Sequence, residues 1–222
     1  MVKRKVIAII PALNEEKTVE RVLVRTRKYA DEIILVDDAS IDNTAQIARK
    51  AGAVVLSHRE HQGYDKSLDD GFKLAARRGA TIVVTLDADG QHDPGEIPSI
   101  IAPIMSCEAD VVVGMRSQCS RISEYFFSLI GKIILGIDDP ISGFKAYHIR
   151  VHRQMGYFDK ISSIGTELLF NAWKNGYRVI QRNITLRDRS GTPRLGGRIE
   201  ANWKIFKAIC KILIKLVIEK SR

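Results

Sequence analysis

Short apolar runs alternate with helix-forming stretches through the first half of the chain, and this alternation constrains the fold more than any other feature. Residues 6–10, 33–36, 54–56, 82–86 and 111–113 are almost unbroken in Val, Ile, Leu and Ala. Such runs mark strands buried on both faces, since a strand with one wet face alternates polar and apolar residues. Between them, residues 15–29 read as a helix. So do the segment from the capping residues at Ser40–Thr44 to Gly52, residues 67–78 before Gly79, and a stretch after Pro94. Repeated βα units with short links give a mostly parallel sheet with helices on both faces, an α/β doubly wound architecture. Further on, 121–136 and 166–175 read as helices and 142–148 as a strand. No linker interrupts this pattern, so residues 1–198 are expected to form one domain, with 199–222 a terminal amphipathic helix.

Ligands of such sheets bind beyond the carboxyl ends of the strands. Three acidic clusters fall at those ends: Glu15-Glu16 after the first run, Asp37-Asp38 after the second and Asp87-Ala88-Asp89 after the fourth. Three clusters on one rim point to a site and not to solvated loop ends. The 222 residues carry 35 Lys and Arg against 26 Asp and Glu, a net charge of +9. A basic chain favours anionic partners. Nucleic acid is not expected among them, because the acidic rim would repel its backbone. The three cysteines, Cys107, Cys119 and Cys210, match no metal knuckle and read as packing residues of a protein in a reducing compartment. The basic Lys3-Arg4-Lys5 and the short apolar run after it are not expected to be a signal peptide, and no stretch is apolar for long enough to span a bilayer.

In an extended segment side chains at i and i+2 share a face, so Asp87 and Asp89 are expected to converge on one cation, with Gln91 continuing the row. Hard oxygen ligands suit Mg²⁺ or Mn²⁺, ions that keep waters and bridge to substrate phosphates. His92 reads as a solvated loop residue.

Pro11-Ala12-Leu13-Asn14-Glu15-Glu16, Val36-Asp37-Asp38-Ala39-Ser40 with Asp42 and Thr44, and Asp87-Ala88-Asp89-Gly90-Gln91-His92-Asp93-Pro94 together resemble glycosyltransferase family 2. Asp139-Pro140-Ile141-Ser142-Gly143-Phe144-Lys145-Ala146-Tyr147 resembles the polyprenyl-phosphate sugar synthases within it, typified by dolichol-phosphate mannose synthase. The resemblance spans roughly residues 5–195 with the motifs in order. It implies a GT-A fold and an inverting hexosyl transfer from a nucleotide sugar of GDP-mannose or UDP-glucose type to a polyprenyl or dolichyl phosphate. It also implies that Pro11, Ala12, Glu15, Asp37 and Asp38 hold the nucleoside, and that Asp87, Asp89 and Gln91 hold the metal and diphosphate. Asp89, Arg116 and Arg189 are the implied catalytic residues. Arg121, Ser142, Lys145 and Arg194 are implied at the acceptor and diphosphate, with the basic loop from Arg189 to Arg194 closing over them. One departure stands out: the Gly-rich stretch after the third run reads Gln62-Gly63-Tyr64-Asp65-Lys66-Ser67, with Asp65 where a second glycine is expected.

A hydroxyl acceptor needs a general base, whereas a phosphomonoester with its second pKa near ~6 already carries a nucleophilic oxyanion at neutral pH. Glu167 is read either as such a base or as a first-turn residue complementing the helix dipole. Arg116, Arg121, Lys145, Arg187, Arg189 and Arg194 supply cations for a phosphate cradle. In residues 199–218, Lys204, Lys207, Lys211 and Lys215 fall within an arc of roughly 80° at a helical step of 100°. Phe206, Ile209, Cys210, Leu213, Leu216 and Val217 lie opposite. Such a helix fits either the headgroup region of a bilayer or the protein's own core, and a lipid-linked acceptor favours the bilayer. The expected location is therefore the cytoplasmic face of a membrane, held peripherally. The alternative is a soluble transferase acting on a saccharide or a small phosphorylated hydroxy acid. A nucleotidyltransferase is disfavoured, since no Gly-rich phosphate cradle follows the first run.

Overall fold

The structure, a computed structural model, describes residues 4–116 and 122–187, together with residues 203, 206–208, 210, 211 and 214. Its strands are β1 (Val6–Ala12), β2 (Glu32–Asp37), β3 (Val54–Ser57), β4 (Ile82–Thr85), β5 (Val111–Arg116), β6 (Lys145–His148) and β7 (Val179–Ile184). Its helices are α1 (Val19–Thr26), α2 (Thr44–Lys50), α3 (Tyr64–Arg77), α4 (Ile97–Met105), α5 (Ile122–Leu135), α6 (Ile149–Met155) and α7 (Glu167–Lys174), with a 3-10 turn at Pro94–Glu96 leading into α4. One sheet runs in the order β3-β2-β1-β4-β6-β5-β7. β6 is antiparallel to both neighbours, and every other pairing is parallel.

The buried runs alternate in register. Ile7 and Ile9 join the core under α3, α5, α6 and α7, whereas Ala8, Ile10 and Ala12 join the core under α1, α2 and α4. Two layers of helix therefore cover one sheet, as the unbroken apolar runs require. The chain reverses its lateral direction between β1 and β4, and there the rim opens. β4 pairs with β1 only as far as Ile9↔Thr85. Ile9 O accepts from Leu86 N–H towards β4 and Ala12 O from Asp38 N–H towards β2, so Pro11 faces the side where β4 has already ended. Its missing N–H breaks no ladder bond there.

Several expected boundaries shift. α1 begins at Val19 and not at residue 15; residues 16–18 form a turn in which Thr18 N–H and Val19 N–H both donate to Glu15 O, at 3.0 and 2.9 Å. The expected strand at 142–148 begins only at Lys145, since Asp139–Ser142 forms a turn closed by Ser142 N–H to Asp139 O. α6 and β7 have no counterpart among the elements expected from the sequence. Cys107 is exposed at the end of α4 and does not pack in the core; Cys210 is half-buried, and Cys119 lies outside the described residues. Within the expected 199–218 helix, every described residue is helical.

Candidate active site

On the β1–β2 side of the rim, two loops are zipped together. Asn14 N–H donates to Ser40 Oγ at 2.9 Å, and Asn14 Oδ1 accepts from Ile41 N–H at 2.9 Å. Glu15 N–H reaches Thr44 Oγ1 at 2.7 Å, and Glu16 Oε2 accepts from Asn43 N–H at 3.2 Å. Asn14 and Ala39 take positive φ values of 53° and 64°, turning both loops towards each other. Pro11 and Ala12 lie buried at the base of this cradle. Asp37 is buried, with Oδ1 accepting from Ser40 N–H at 3.2 Å.

Asp38 is more fully committed. Its Oδ1 accepts from Gln62 N–H at 2.8 Å and lies 2.7 Å from His58 Nδ1, while Oδ2 accepts from Gly63 N–H at 2.8 Å and lies 2.7 Å from His61 Nδ1. Burial pushes the Asp38 carboxyl up, but the bonds from His58, Gln62 and Gly63 outweigh it and hold the group below the usual carboxylate range. With four partners on two oxygens, this carboxylate fastens the 58–63 loop to the rim. The expectation that it grips a nucleoside directly is revised to one of positioning. No spacing rule in the sequence singles out His58 or His61.

Across the opening lies the Asp-Ala-Asp segment. β4 ends at Thr85, and residues 88–90 turn rather than extend, with Gly90 at φ 80°. The i, i+2 argument for a shared face therefore does not hold as stated. Asp89 is buried and accepts from Gln91 N–H at 3.0 Å. Asp87 is the more telling: its Oδ1 is buried without a hydrogen-bond partner among the described residues. A carboxylate oxygen withdrawn from water and left unbonded is costly, and a cation would relieve that cost. Gly143 makes room for it, since a Cβ at that position would stand 2.8 Å from Asp87 Oδ2. His92 is buried, not solvated; its Nδ1 accepts from Asp87 N–H at 3.2 Å and its ring packs on Phe144. Among the described residues no group of three or more His, Cys, Asp and Glu is placed to hold a metal. Two carboxylates at most would come from the protein here, which fits an ion completed by waters and phosphates.

Behind this segment sits a buried charge cluster. Arg116, at the end of β5, grips Asp139 through Nε at 2.6 Å and a second guanidinium nitrogen at 2.9 Å. Lys145 is 3 % exposed and donates to Gly165 O at 3.3 Å. Burial pushes its ammonium down to about 8, aided by Arg116 and opposed by Asp139, Asp65 and Asp87. Lys145 is thus a floor residue, which corrects its expected place in an open phosphate cradle. Asp65, the unexpected residue in the Gly-rich stretch, accepts from Gly165 N–H at 2.6 Å. Burial and the neighbouring Asp159 charge push its carboxyl up to about 7.

Other expectations also move. Ser142 is wholly buried and its Oγ accepts from Phe144 N–H at 3.3 Å, so it shapes the turn. Glu167 is 1 % exposed, and its Oε2 accepts from Lys160 N–H at 2.5 Å and Ile161 N–H at 3.2 Å. That carboxylate caps a loop, which removes it as an open general base. Arg187 pairs with Asp93 and donates its N–H to Gln91 O at 2.9 Å. Arg121, Arg189 and Arg194 lie outside the described residues.

A mostly parallel sheet with carboxylates at its direction switch places them where doubly wound sheets bind their ligands. Residues 7–165 match the family model "Glycosyl transferase family 2", and the chain belongs to that family. It is similar to an undecaprenyl-phosphate mannosyltransferase of Micrococcus luteus, 28% identical over 219 residues, covering 88% of this chain and 89% of that one. A polyprenol monophosphomannose synthase of Mycolicibacterium smegmatis is 26% identical, with 87% and 82% covered. Among solved structures, glucosyl-3-phosphoglycerate synthase of Mycobacterium tuberculosis, in complex with Mn²⁺, UDP and glucosyl-3-phosphoglycerate, superposes with a TM-score of 0.75 at 21% identity, covering 95% of this chain and 79% of that one. The GT-A-like sheet expected from the sequence is therefore the fold.

Proposed function

We propose that the chain transfers a hexose from a nucleotide sugar to a polyprenyl phosphate, with a divalent ion at Asp87 and Asp89. The observation that carries the acceptor is Glu167. The carboxylate best placed by sequence to act as a base is sealed into its own loop. A phosphate acceptor needs no base, because its oxyanion is already present at neutral pH. The names of the Micrococcus luteus and Mycolicibacterium smegmatis relatives point the same way.

The zipped loops at Asn14–Glu16 and Ser40–Thr44 would hold the nucleoside, with Pro11, Ala12, Glu15 and Asp37 around it and Asp38 fixing the adjoining loop. Asp87 and Asp89 would hold Mg²⁺ or Mn²⁺, with Gln91 beside them. Such an ion neutralises charge on the departing nucleoside diphosphate. Arg116, anchored by Asp139, lies at the acceptor side of the crevice. The loop from Arg189 to Arg194 would close over the diphosphate, as the family resemblance implies. No helix among the described residues is long and apolar enough to cross a membrane. A peripheral seat on the cytoplasmic face, through residues 199–218, accommodates a lipid-linked acceptor.

Product analysis tests this reading. The protein with Mn²⁺ is offered GDP-mannose or UDP-glucose together with undecaprenyl phosphate, undecaprenol or 3-phosphoglycerate. Glycosylated undecaprenyl phosphate alone is expected. Transfer to 3-phosphoglycerate, with none to the lipid phosphate, would establish the soluble alternative, and transfer to undecaprenol would contradict the phosphate-acceptor reading.

A further inference from the structure

The segment between α6 and α7 is gripped at both ends by α3. Phe158 N–H donates to Asp69 Oδ1 at 2.9 Å and Gly165 N–H to Asp65 Oδ1 at 2.6 Å. The two carboxylates stand one helical turn apart on α3. Asp65 also accepts from Ile164 N–H. Between these ends, Asp159 Oδ1 accepts from Ile161 N–H and Ser163 N–H, each at 3.1 Å, beside the Glu167 bonds already described. A segment without helix or ladder normally leaves such donors to water. Here carboxylates collect them.

The segment is also strained. Ser162 and Ile164 take φ values of 54° and 57°, next to Gly165 at 68°. A β-branched residue at positive φ is a conformational outlier. It persists only where its surroundings over-determine it, and such outliers gather at ligand sites. Gly165 is the fixed point. Its N–H goes to Asp65, its carbonyl accepts from Lys145 Nζ at 3.3 Å, and a Cβ there would meet the rings of Phe158 and Tyr64 at 3.3 and 3.5 Å. A glycine at position 65, which the family resemblance leads one to expect, would make neither bond of Asp65.

This joint stands between the two proposed halves of the donor site. Gln62 and Gly63, just before Tyr64, bond to Asp38 on the nucleoside side. Lys145, on the other side of Gly165, feels the charges of Asp139 and Asp87. The sugar of a nucleotide held at both places would hang beside the joint. A wall that cannot yield rejects a misplaced hydroxyl by clash.

We propose that Asp65 is a positioning residue for the donor sugar, locking residues 162–165 into a rigid wall that sorts hexoses by shape. The proposal rests on the nucleotide-sugar reading and is independent of the acceptor.

Isothermal titration near neutral pH, with Mn²⁺ and no acceptor, tests it. The ligands are UDP, UDP-glucose and UDP-galactose, and GDP, GDP-mannose and GDP-glucose. The proteins are the wild type, Asp65→Asn, Asp65→Gly and Ile164→Gly. Asparagine keeps an acceptor for Gly165 N–H and glycine does not. Ile164→Gly relieves the strain and leaves every buried charge in place, so it keeps the test open should Asp65→Gly fail to fold. The wild type is expected to favour one hexose over its epimer about tenfold. Asp65→Asn should keep that preference. Asp65→Gly and Ile164→Gly should lose most of it, with affinity for the bare diphosphate unchanged. A preference that survives in both glycine variants would overturn the proposal. So would an equal loss of affinity for sugar and bare diphosphate, the mark of a merely structural tie. Loss of preference in Asp65→Asn would also overturn it, since charge and not the tie would then carry the effect. A wild type that binds neither diphosphate would instead refute the nucleotide-sugar reading.

Discussion

The two halves of the rim spend their carboxylates differently. On the β1–β2 side Asp38, Asp42 and Glu16 are each bonded to backbone N–H groups of neighbouring loops. On the β4–β6 side Asp87 keeps a buried oxygen without a partner among the described residues, and Lys145 and Asp65 hold strongly shifted protons. The first arrangement is what a rigid cradle needs: every charge is matched before any ligand arrives. The second leaves one carboxylate oxygen open, which a cation would satisfy. On the proposed reading, binding and chemistry fall on different sides of one crevice.

Replacing a carboxylate on the incomplete side should remove activity and leave the fold intact. Asp89→Asn retains an acceptor for Gln91 N–H, so its thermal midpoint should stay within a degree or two. Its turnover should fall roughly a hundredfold or more, in line with the loss of a group that stabilises transition-state charge. Turnover within a few-fold of wild type would remove the carboxylate from the site.

The matched side should behave in the opposite way. Asp38→Ala strands two backbone N–H groups and two histidines, and bonds to a charged acceptor are worth about 1.5–3 kcal/mol each. Calorimetry should show a clear loss of stability, with nucleotide affinity reduced about tenfold through the displaced 58–63 loop. A stable variant with unchanged affinity would show that the loop does not border the nucleoside.

Gly143→Ala probes the β4–β6 side alone. A methyl group 2.8 Å from Asp87 Oδ2 must push that carboxylate aside. The Mn²⁺ concentration for half-maximal activity should rise several-fold, with nucleotide affinity in the absence of metal unaltered.

The smallest effect concerns Asp65. Its folded pKa is raised to about 7 from 3.8, so the folded protein binds more protons than the unfolded chain between those values. Stability attributable to this group is present at low pH and is lost as pH rises from about 4 to about 7. Asp65→Asn should therefore stabilise the protein above pH 7, by on the order of 1 kcal/mol or more, since each tenfold change in proton affinity corresponds to about 1.36 kcal/mol. The gain should vanish near pH 4. Denaturant titrations at the two pH values check the sign.

The sequence made the acidic rim visible on both sides and hid what each polar residue is bonded to. Strands such as β1 and β4 are legible because their apolar runs have no competing pattern, and their ends locate the acidic rim. β7, Val-Ile-Gln-Arg-Asn-Ile, carries two exposed polar residues on an edge strand and offers no such run. β6 follows a turn and runs against its neighbours, a direction that local residues do not encode. The roles of Asp38, Ser142, Lys145 and Glu167 differ from those expected for one reason. A polar residue in a motif looks the same whether it faces a ligand or a backbone N–H, and only the tertiary contact tells them apart. Asp65 looks like a missing glycine and is a tie to Gly165, one hundred residues away.

Everything proposed for the incomplete side turns on Asp87 awaiting a cation that arrives together with a diphosphate. Isothermal titration of UDP and of GDP, with and without Mn²⁺, on the wild type and on Asp87→Asn reads this coupling. Mn²⁺ is expected to tighten binding of the cognate nucleotide at least tenfold in the wild type. In Asp87→Asn the metal should have no effect, while the metal-free affinity is kept. Equal tightening by Mn²⁺ in both proteins would show that Asp87 does not hold the ion.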